Sequence, residues 1–447
     1  MPYRKTFFLS LIVLIITNTN HATAQPAKEN YSEELAGTYT LPNPLIDSKG
    51  KVVATADDWT KRRRPEILAI FESQMFGKTP KESPRVRFKS SPKGEDALGG
   101  KAIRKQIQAI VGENGPVIHV LLYVPKNAKG KVPAFLGLNF GGNHTVHSDP
   151  GIELAQVWPR WAGPERSKDP MPTKPTVAAE STRGSGHGRW PVEMIIDRGY
   201  AVATAYYGDI EPDFQGGVQF GIRSVFPKSS AGWAADEWNA IGAWAWGLSR
   251  IADYLQSDPD IDGSRLALLG HSRLGKTALW AGAQDQRFKI VISNDSGEGG
   301  AAISRRNFGE DVRRLNEVFP HWFCKNYSQY NDRVSEMPFD SHMLIALIAP
   351  RPVYVASASE DLHADPRGEF LGALNAGPVY ELLGKQGLGV KVMPDIHQPI
   401  MNTVGYHVRE GKHDVTTYDW KQYLDFADKH FGRPASAKPS SADTAKK

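Results

Sequence analysis

The 447-residue chain has a single cysteine, Cys324, so no intramolecular disulfide can form and stability has to come from a packed core. It also lacks a long apolar run: the longest, Phe7 to Ile16, is too short to cross a bilayer as a stable helix, which argues against a membrane anchor. Charge of one sign is scarce. The formal surplus is +5, with no basic run beyond Lys61 to Arg64, so no nucleic-acid or membrane footprint is expected. That short cluster, at the start of a predicted helix, reads as a solvated face. His144 and His147 are close in sequence, but no Cys or further His set follows at ligand spacing, so neither a metal nor another cofactor is expected. No internal repeat is visible.

What is present begins with an export signal. Arg4 and Lys5 precede the apolar run, and a polar stretch closes on Ala22-Thr23-Ala24, which predicts cleavage after Ala24 and a secreted or periplasmic protein. The remainder, 40% hydrophobic and 23% charged over the whole chain, has ample residues for a sizeable core. Its composition does not split, so residues 25–432 are read as one catalytic domain and residues 433–447, rich in Pro, Ala, Ser and Lys, as a disordered tail.

Periodicity gives an α/β order. Residues 57–77 read as a helix, Ile107 to Val111 and Ile118 to Val124 as an antiparallel pair, Pro133 to Phe140 as a buried strand, and Gly199 to Tyr206 as the next. Asp236 to Leu255 is a long helix with Trp238, Ile241, Trp244, Leu248 and Ile251 on one side, which places those tryptophans in the core rather than on a sugar platform. Leu266 to Leu269, Ile290 to Ser293, Val353 to Ala356 and Val390 to Met393 follow as strands, and Tyr418 to His430 is the closing helix. Residues 148–190 and about 299–348 read as insertions, the first a long loop near the active-site face. The fold class is α/β: an α/β-hydrolase with a mostly parallel central sheet and active-site insertions.

Chemistry centres on Gly270-His271-Ser272-Arg273-Leu274-Gly275-Lys276, which follows an apolar run and opens a helix-compatible one. Strand, tight turn, helix is how an α/β-hydrolase exposes its nucleophile, and the pattern nominates Ser272. The standard G-x-S-x-G would have Gly at 274; here it falls at Gly275, and a serine at such a turn can also be a helix N-cap with no chemistry. A serine nucleophile needs a His, and the His an orienting carboxylate, in the chain order Ser, acid, His. His413 lies between the last predicted strand and the last helix, with His397 and His407 as rivals. Asp361 and Asp295 follow the two preceding strands and compete for the acid. The turn Gly141-Gly142-Asn143 is where this fold places one oxyanion-hole N–H, or it is simply a tight turn.

The Ser272 heptad resembles the G-[C/H]-S-R-x-G-K signature of the glucuronoyl esterases, carbohydrate esterase family 15. Similar segments run in chain order over about residues 30–432, among them Asn139-Phe140-Gly141-Gly142-Asn143-His144, Pro320-His321-Trp322-Phe323-Cys324, Glu360-Asp361-Leu362-His363 and Gly411-Lys412-His413-Asp414. They look like the bacterial branch; fungal relatives carry Cys where this chain has His271. The resemblance favours His413 as the base. It implies either or both of Asp361 and Asp295 as the acid; Asp295 stands where fungal members have a Glu one methylene longer, so Asp361 is preferred. It also implies that Arg273 stabilises the oxyanion and that Lys276, Glu310 and the residue at His363 contact the uronic acid, although bacterial relatives commonly have Trp at that last position. An Arg and a Lys in a helix's first turn oppose the helix dipole, which argues against a purely structural role for them.

The implied activity is a serine esterase cleaving esters between glucuronic acid of xylan and lignin alcohols, acting on glucuronoxylan or lignin-carbohydrate esters as a monomer. An acetyl xylan or other carbohydrate esterase, suggested by His363, and a catalytically silent carbohydrate-binding protein on the same fold are the alternatives.

Overall fold

The structure is a computed structural model that describes residues 29–432 except 92, 162, 164–166 and 228–233. The predicted signal segment and the tail lie outside the described residues. An eleven-stranded sheet forms the centre. Its strands in chain order are β1 (Val86–Ser90), β2 (Glu95–Ala97), β3 (Ala102–Val111), β4 (Val117–Pro125), β5 (Val132–Asn139), β6 (Ala201–Tyr206), β7 (Ile261–His271), β8 (Phe288–Asn294), β9 (Val353–Ala358), β10 (Ile400–Met401) and β11 (Val404–Arg409). In space the order is β1-β3-β4-β6-β5-β7-β8-β9-β11-β10, with β2 on β3. Pairing is parallel from β6 through β5, β7, β8 and β9 to β11, and antiparallel at both edges.

Both faces of this sheet are covered, which is why its strands read as near-continuous apolar runs. In β7, Leu266 and Leu268 pack into one cluster and Ala267 and Leu269 into the other, as the two-residue period of a strand requires. One cluster takes α1 (Arg64–Gln74), α2 (Ala240–Ser257), α3 (Arg273–Gln284) and α4 (Pro366–Leu382); the other takes α5 (Thr417–Phe431) through Trp420, Tyr423 and Leu424. Trp238 and Trp244 are buried in the core.

Three readings need correction, and a fourth, the first helix, gains detail. The expected strand at 390–393 is irregular, and Val392 is 79% exposed; the last parallel strand is β11. The alternation of Val390 and Val392 imitates a strand, whereas β11 carries His407 and Arg409, whose burial is possible only because Asp419 accepts a hydrogen bond from each. The long helix starts at Ala240, not Asp236, because Glu237 pairs with Lys78 in an isolated parallel bridge. The first helical segment stops at Gln74, just short of Gly77, and contains a wider π turn over Trp59–Arg63. The Lys61 to Arg64 cluster is a solvated face only in part: Lys61 is exposed, but Arg63 is buried on the Pro44 carbonyl and Glu66, and Arg64 reaches the carbonyls of Leu347 and Ala283.

Candidate active site

The register places the candidate site. His271 pairs with Asn294, Asn294 with Ala356, Ala356 with His407 and Ala358 with Arg409, so the segments after β7, β8, β9 and β11 leave the sheet side by side at its carboxyl edge. That edge is where open parallel sheets bind ligands. Ser272, Asp295, Asp361 and His413 sit on those four segments.

Ser272 has φ +58° and ψ −131°, a left-handed conformation rare for a residue with a side chain, between β7 and α3. Its side chain makes no N-cap hydrogen bond, and its own N–H is held by the Asn294 carbonyl at 2.9 Å. Such a constrained turn is a geometry associated with function rather than with capping. A Cβ at Gly270 would stand 1.8 Å from the Leu274 carbonyl oxygen. One at Gly275 would stand 2.9 Å from Ser296 Cβ, while Leu274 itself is buried in the core. The shifted glycine of the motif thus marks where α3 crosses closely over the segment after β8.

His413 is half-exposed on the loop between β11 and α5, and its Nδ1 lies 2.5 Å from Asp361 Oδ2. Its ring centroid is 4.5 Å from that of His271, the neighbour of Ser272. His271 is itself buried, with Nδ1 on Asn294 Oδ1 at 2.6 Å; burial, then the proximity of His413, pushes its pKa well below the ordinary value. Of the rivals, His407 is buried inside the sheet on Tyr354 and Asp419, and His397 packs against Tyr418. The His413 loop is tied down by Arg409, whose Nη2 donates to the carbonyls of Lys412 at 2.9 Å and Asp414 at 2.5 Å. The sequence reading missed Arg409 and Asp419, because a charged residue in a strand, or in the first turn of a helix, gives no periodic signal of a buried pair.

Asp295 is in the cluster but has different surroundings. Its Oδ2 is 3.3 Å from the Asp414 N–H and 3.5 Å from Arg409 Nη2, and Oδ1 has no hydrogen-bond partner among the described residues. Burial, then the charges of Glu369 and Asp361, holds its carboxyl well above the usual carboxylate range. Asp295, Asp361 and His413 offer ligand atoms within 4.8 Å of one another. The set suits a cation poorly, since His413 Nδ1 is engaged with Asp361 and the Arg409 guanidinium already faces Asp295.

The three expected sugar contacts are brought together. Lys276 Nζ is buried on the carbonyls of Ser296 and Glu298, 3.5 Å from Glu310 Oε2. His363 Nε2 lies 3.4 Å from Glu310 Oε1, and its Nδ1 lies 3.3 Å from Glu29. Burial alone would raise the Glu310 pKa, but Lys276 and His363 outweigh it and hold the carboxyl below its ordinary value. The Glu310 contact is the largest cause of a raised pKa at His363. Arg273, in the first turn of α3, stacks over Trp322 with 4.6 Å to the ring centroid and pairs with Asp213, whose carboxylate side chain is buried and which the sequence did not flag. At the Gly141-Gly142-Asn143 turn, the Gly142 N–H is taken by Asn139 Oδ1 at 2.8 Å, so at that residue the tight-turn reading is favoured. The insertion at 148–190 is mostly irregular and, through Arg160, Arg189 and Trp190, walls a cavity of about 630 Å³ shared with Phe140 and Asp414.

A family model described as "Glucuronyl esterase, fungi" matches residues 234–384. The chain is 48% identical over 430 residues to a carbohydrate esterase of an unknown prokaryotic organism, covering 94% of this chain and 97% of the relative. It is 34% identical over 406 residues to a 4-O-methyl-glucuronoyl methylesterase of Phanerochaete carnosa, covering 86% of this chain and 83% of that one. Among solved structures, a glucuronoyl esterase from Solibacter usitatus superimposes with a TM-score of 0.84 at 51% identity, over 89% of this chain and all of that one. A promiscuous esterase of carbohydrate esterase family 15 from a marine bacterial metagenome gives a TM-score of 0.81 at 48% identity, over 90% of this chain and all of that one.

Proposed function

Because this chain belongs to the glucuronoyl esterases, carbohydrate esterase family 15, and is a carboxylic ester hydrolase, we propose that Ser272, His413 and Asp361 form its catalytic triad and that it cleaves esters of glucuronic acid on xylan. The observation that carries this reading is the 2.5 Å contact of His413 Nδ1 with Asp361 at the sheet edge where Ser272 sits at φ +58°.

His413 Nε2 takes the Ser272 hydroxyl proton as Oγ attacks the ester carbonyl carbon; Asp361 keeps the Nδ1–H tautomer and balances the imidazolium. The carbonyl π electrons move to oxygen, and Arg273 stabilises the resulting negative charge. The tetrahedral intermediate collapses, the C–O bond to the alcohol breaks, and the alkoxide leaves with the proton from His413. Water then adds to the acyl-enzyme by the same route, releasing the uronate and restoring Ser272. Lys276, Glu310 and His363 hold the sugar ring, while the cavity beside Asp414 has room for the alcohol portion. Export through cleavage after Ala24 and action as a monomer belong to the same proposal; among the described residues no helix is long and apolar enough to cross a membrane.

A second reading, a broader carbohydrate esterase, is favoured by His363, which offers less stacking area than Trp, and accords with the similarity to a relative described as promiscuous. Steady-state hydrolysis of a benzyl glucuronate ester and of a generic aryl acetate tests both. A much larger kcat/KM for the glucuronate ester supports the first reading; equal values support the second, and turnover of neither overturns both.

A further inference from the structure

The segment Pro320-His321-Trp322 has no part in the reaction above, yet both its polar side chains turn to one buried carboxylate. Asp213 Oδ1 accepts hydrogen bonds from His321 Nε2 at 2.8 Å and Trp322 Nε1 at 2.7 Å. Its Oδ2 accepts from the Tyr207 hydroxyl at 3.1 Å and from Arg273 Nη1. Burial alone would favour a neutral carboxyl, but the Arg273 charge and the His321 bond outweigh it and hold the group well below the carboxylate range, so Asp213 is ionised.

The same elements also fix the plane of the guanidinium. Trp322 lies 4.6 Å from Arg273 Cζ, Phe319 5.3 Å and Phe140 5.9 Å, and the Phe319 and Trp322 rings stack with centroids 3.7 Å apart. Arg273 Nε is buried without a hydrogen-bond partner among the described residues. Nη1 of the fork is therefore clamped on Asp213, and the buried Nε donor is left unused on the residue that follows Ser272. An unpaired donor at a desolvated position is costly unless an acceptor arrives there.

We propose that Asp213 is a positioning residue for Arg273: carried by His321, Trp322 and Tyr207, it aims the guanidinium so that its free donor meets the ester oxygen as that oxygen becomes negative. The inference rests on the oxyanion role given to Arg273 above. Donors already aimed at the developing charge avoid reorganisation during the reaction, and that advantage disappears if the arginine can swing.

A double-mutant cycle on Asp213 and Arg273 tests it, with kcat and KM measured on a benzyl glucuronate ester. Arg273→Ala should lower kcat about a hundredfold or more, the cost of one oxyanion donor. Asp213→Asn should lower kcat about tenfold or more with KM within about threefold, and should add less than about twofold in the Arg273→Ala background, because it acts through the arginine. The double variant removes both members of the ion pair and leaves no uncompensated charge. If Asp213→Asn alone fails to fold, Trp322→Phe carries the same cycle: it keeps an aromatic face under the guanidinium and deletes one hydrogen bond to Asp213. An equal loss from either change with and without Arg273 overturns the positioning role while the oxyanion reading stands. Arg273→Ala within a few-fold of the parent overturns the oxyanion reading itself.

Discussion

Asp361→Asn should be far more damaging than Asp295→Asn, although both carboxylates lie beside His413. Asp361 Oδ2 is 2.5 Å from His413 Nδ1. The amide removes the charge that balances the imidazolium and can present an N–H₂ to Nδ1, which selects the wrong tautomer for accepting the serine proton. Loss of such an orienter costs about 10²- to 10⁴-fold in kcat, or roughly 3–5 kcal/mol of barrier. Burial and its acidic neighbours shift the Asp295 carboxyl well above the usual carboxylate range, toward the neutral form, so an amide of nearly the same shape changes the local charge less than it does at Asp361. Its substitution should lower kcat by about tenfold or less, the scale of one lost hydrogen bond. The assay is kcat on a benzyl glucuronate ester for both variants and the double variant, with a thermal melt to establish folding. The double variant should fall below either single one. A loss at Asp295→Asn equal to or larger than that at Asp361→Asn refutes the assignment and makes Asp295 the acid.

Gly270→Ala places a methyl group 1.8 Å from the Leu274 carbonyl oxygen and should cost on the order of 3 kcal/mol or more; a melting temperature within about 2 °C of the parent would show that the turn can open. His363 has a raised pKa, chiefly from Glu310, with burial opposing and Glu29 adding. Its charge, and any binding or stability that depends on it, is therefore fully present below about pH 6.5 and is lost as pH rises through the raised value. KM for the glucuronate ester should change over that range, and His363→Trp should lower KM and remove the pH dependence while leaving aryl acetate hydrolysis unaltered; an equal effect on both substrates would exclude a sugar contact. His407→Phe should cost about 1–3 kcal/mol of stability, from bonds lost at Asp419 and Tyr354, with kcat within about threefold. A folded but inactive His407→Phe would transfer the role of base to that residue.

Residues in the sequence specified the elbow at Ser272, because a nucleophile turn needs an apolar strand, a glycine where no Cβ fits and a helix start, all within a dozen consecutive positions. The alternating and helical runs likewise specified the α/β order, since burial on both faces of a parallel sheet leaves continuous apolar stretches. Chain order placed His413 and two acids, but it could not choose between Asp361 and Asp295. That choice rests on a distance and on burial, which arise only when β8, β9 and β11 lie in register. β11 was hidden for the same reason: His407 and Arg409 look like surface residues until Asp419, on the following helix, accepts a hydrogen bond from each. Asp213 carried no sequence signal at all, because nothing near it in the chain hints that it will meet His321 and Trp322, more than a hundred residues away, and hold Arg273 between them. Local chemistry is written in neighbouring residues, whereas the charge state and aim of each group are set by partners that only the fold brings near.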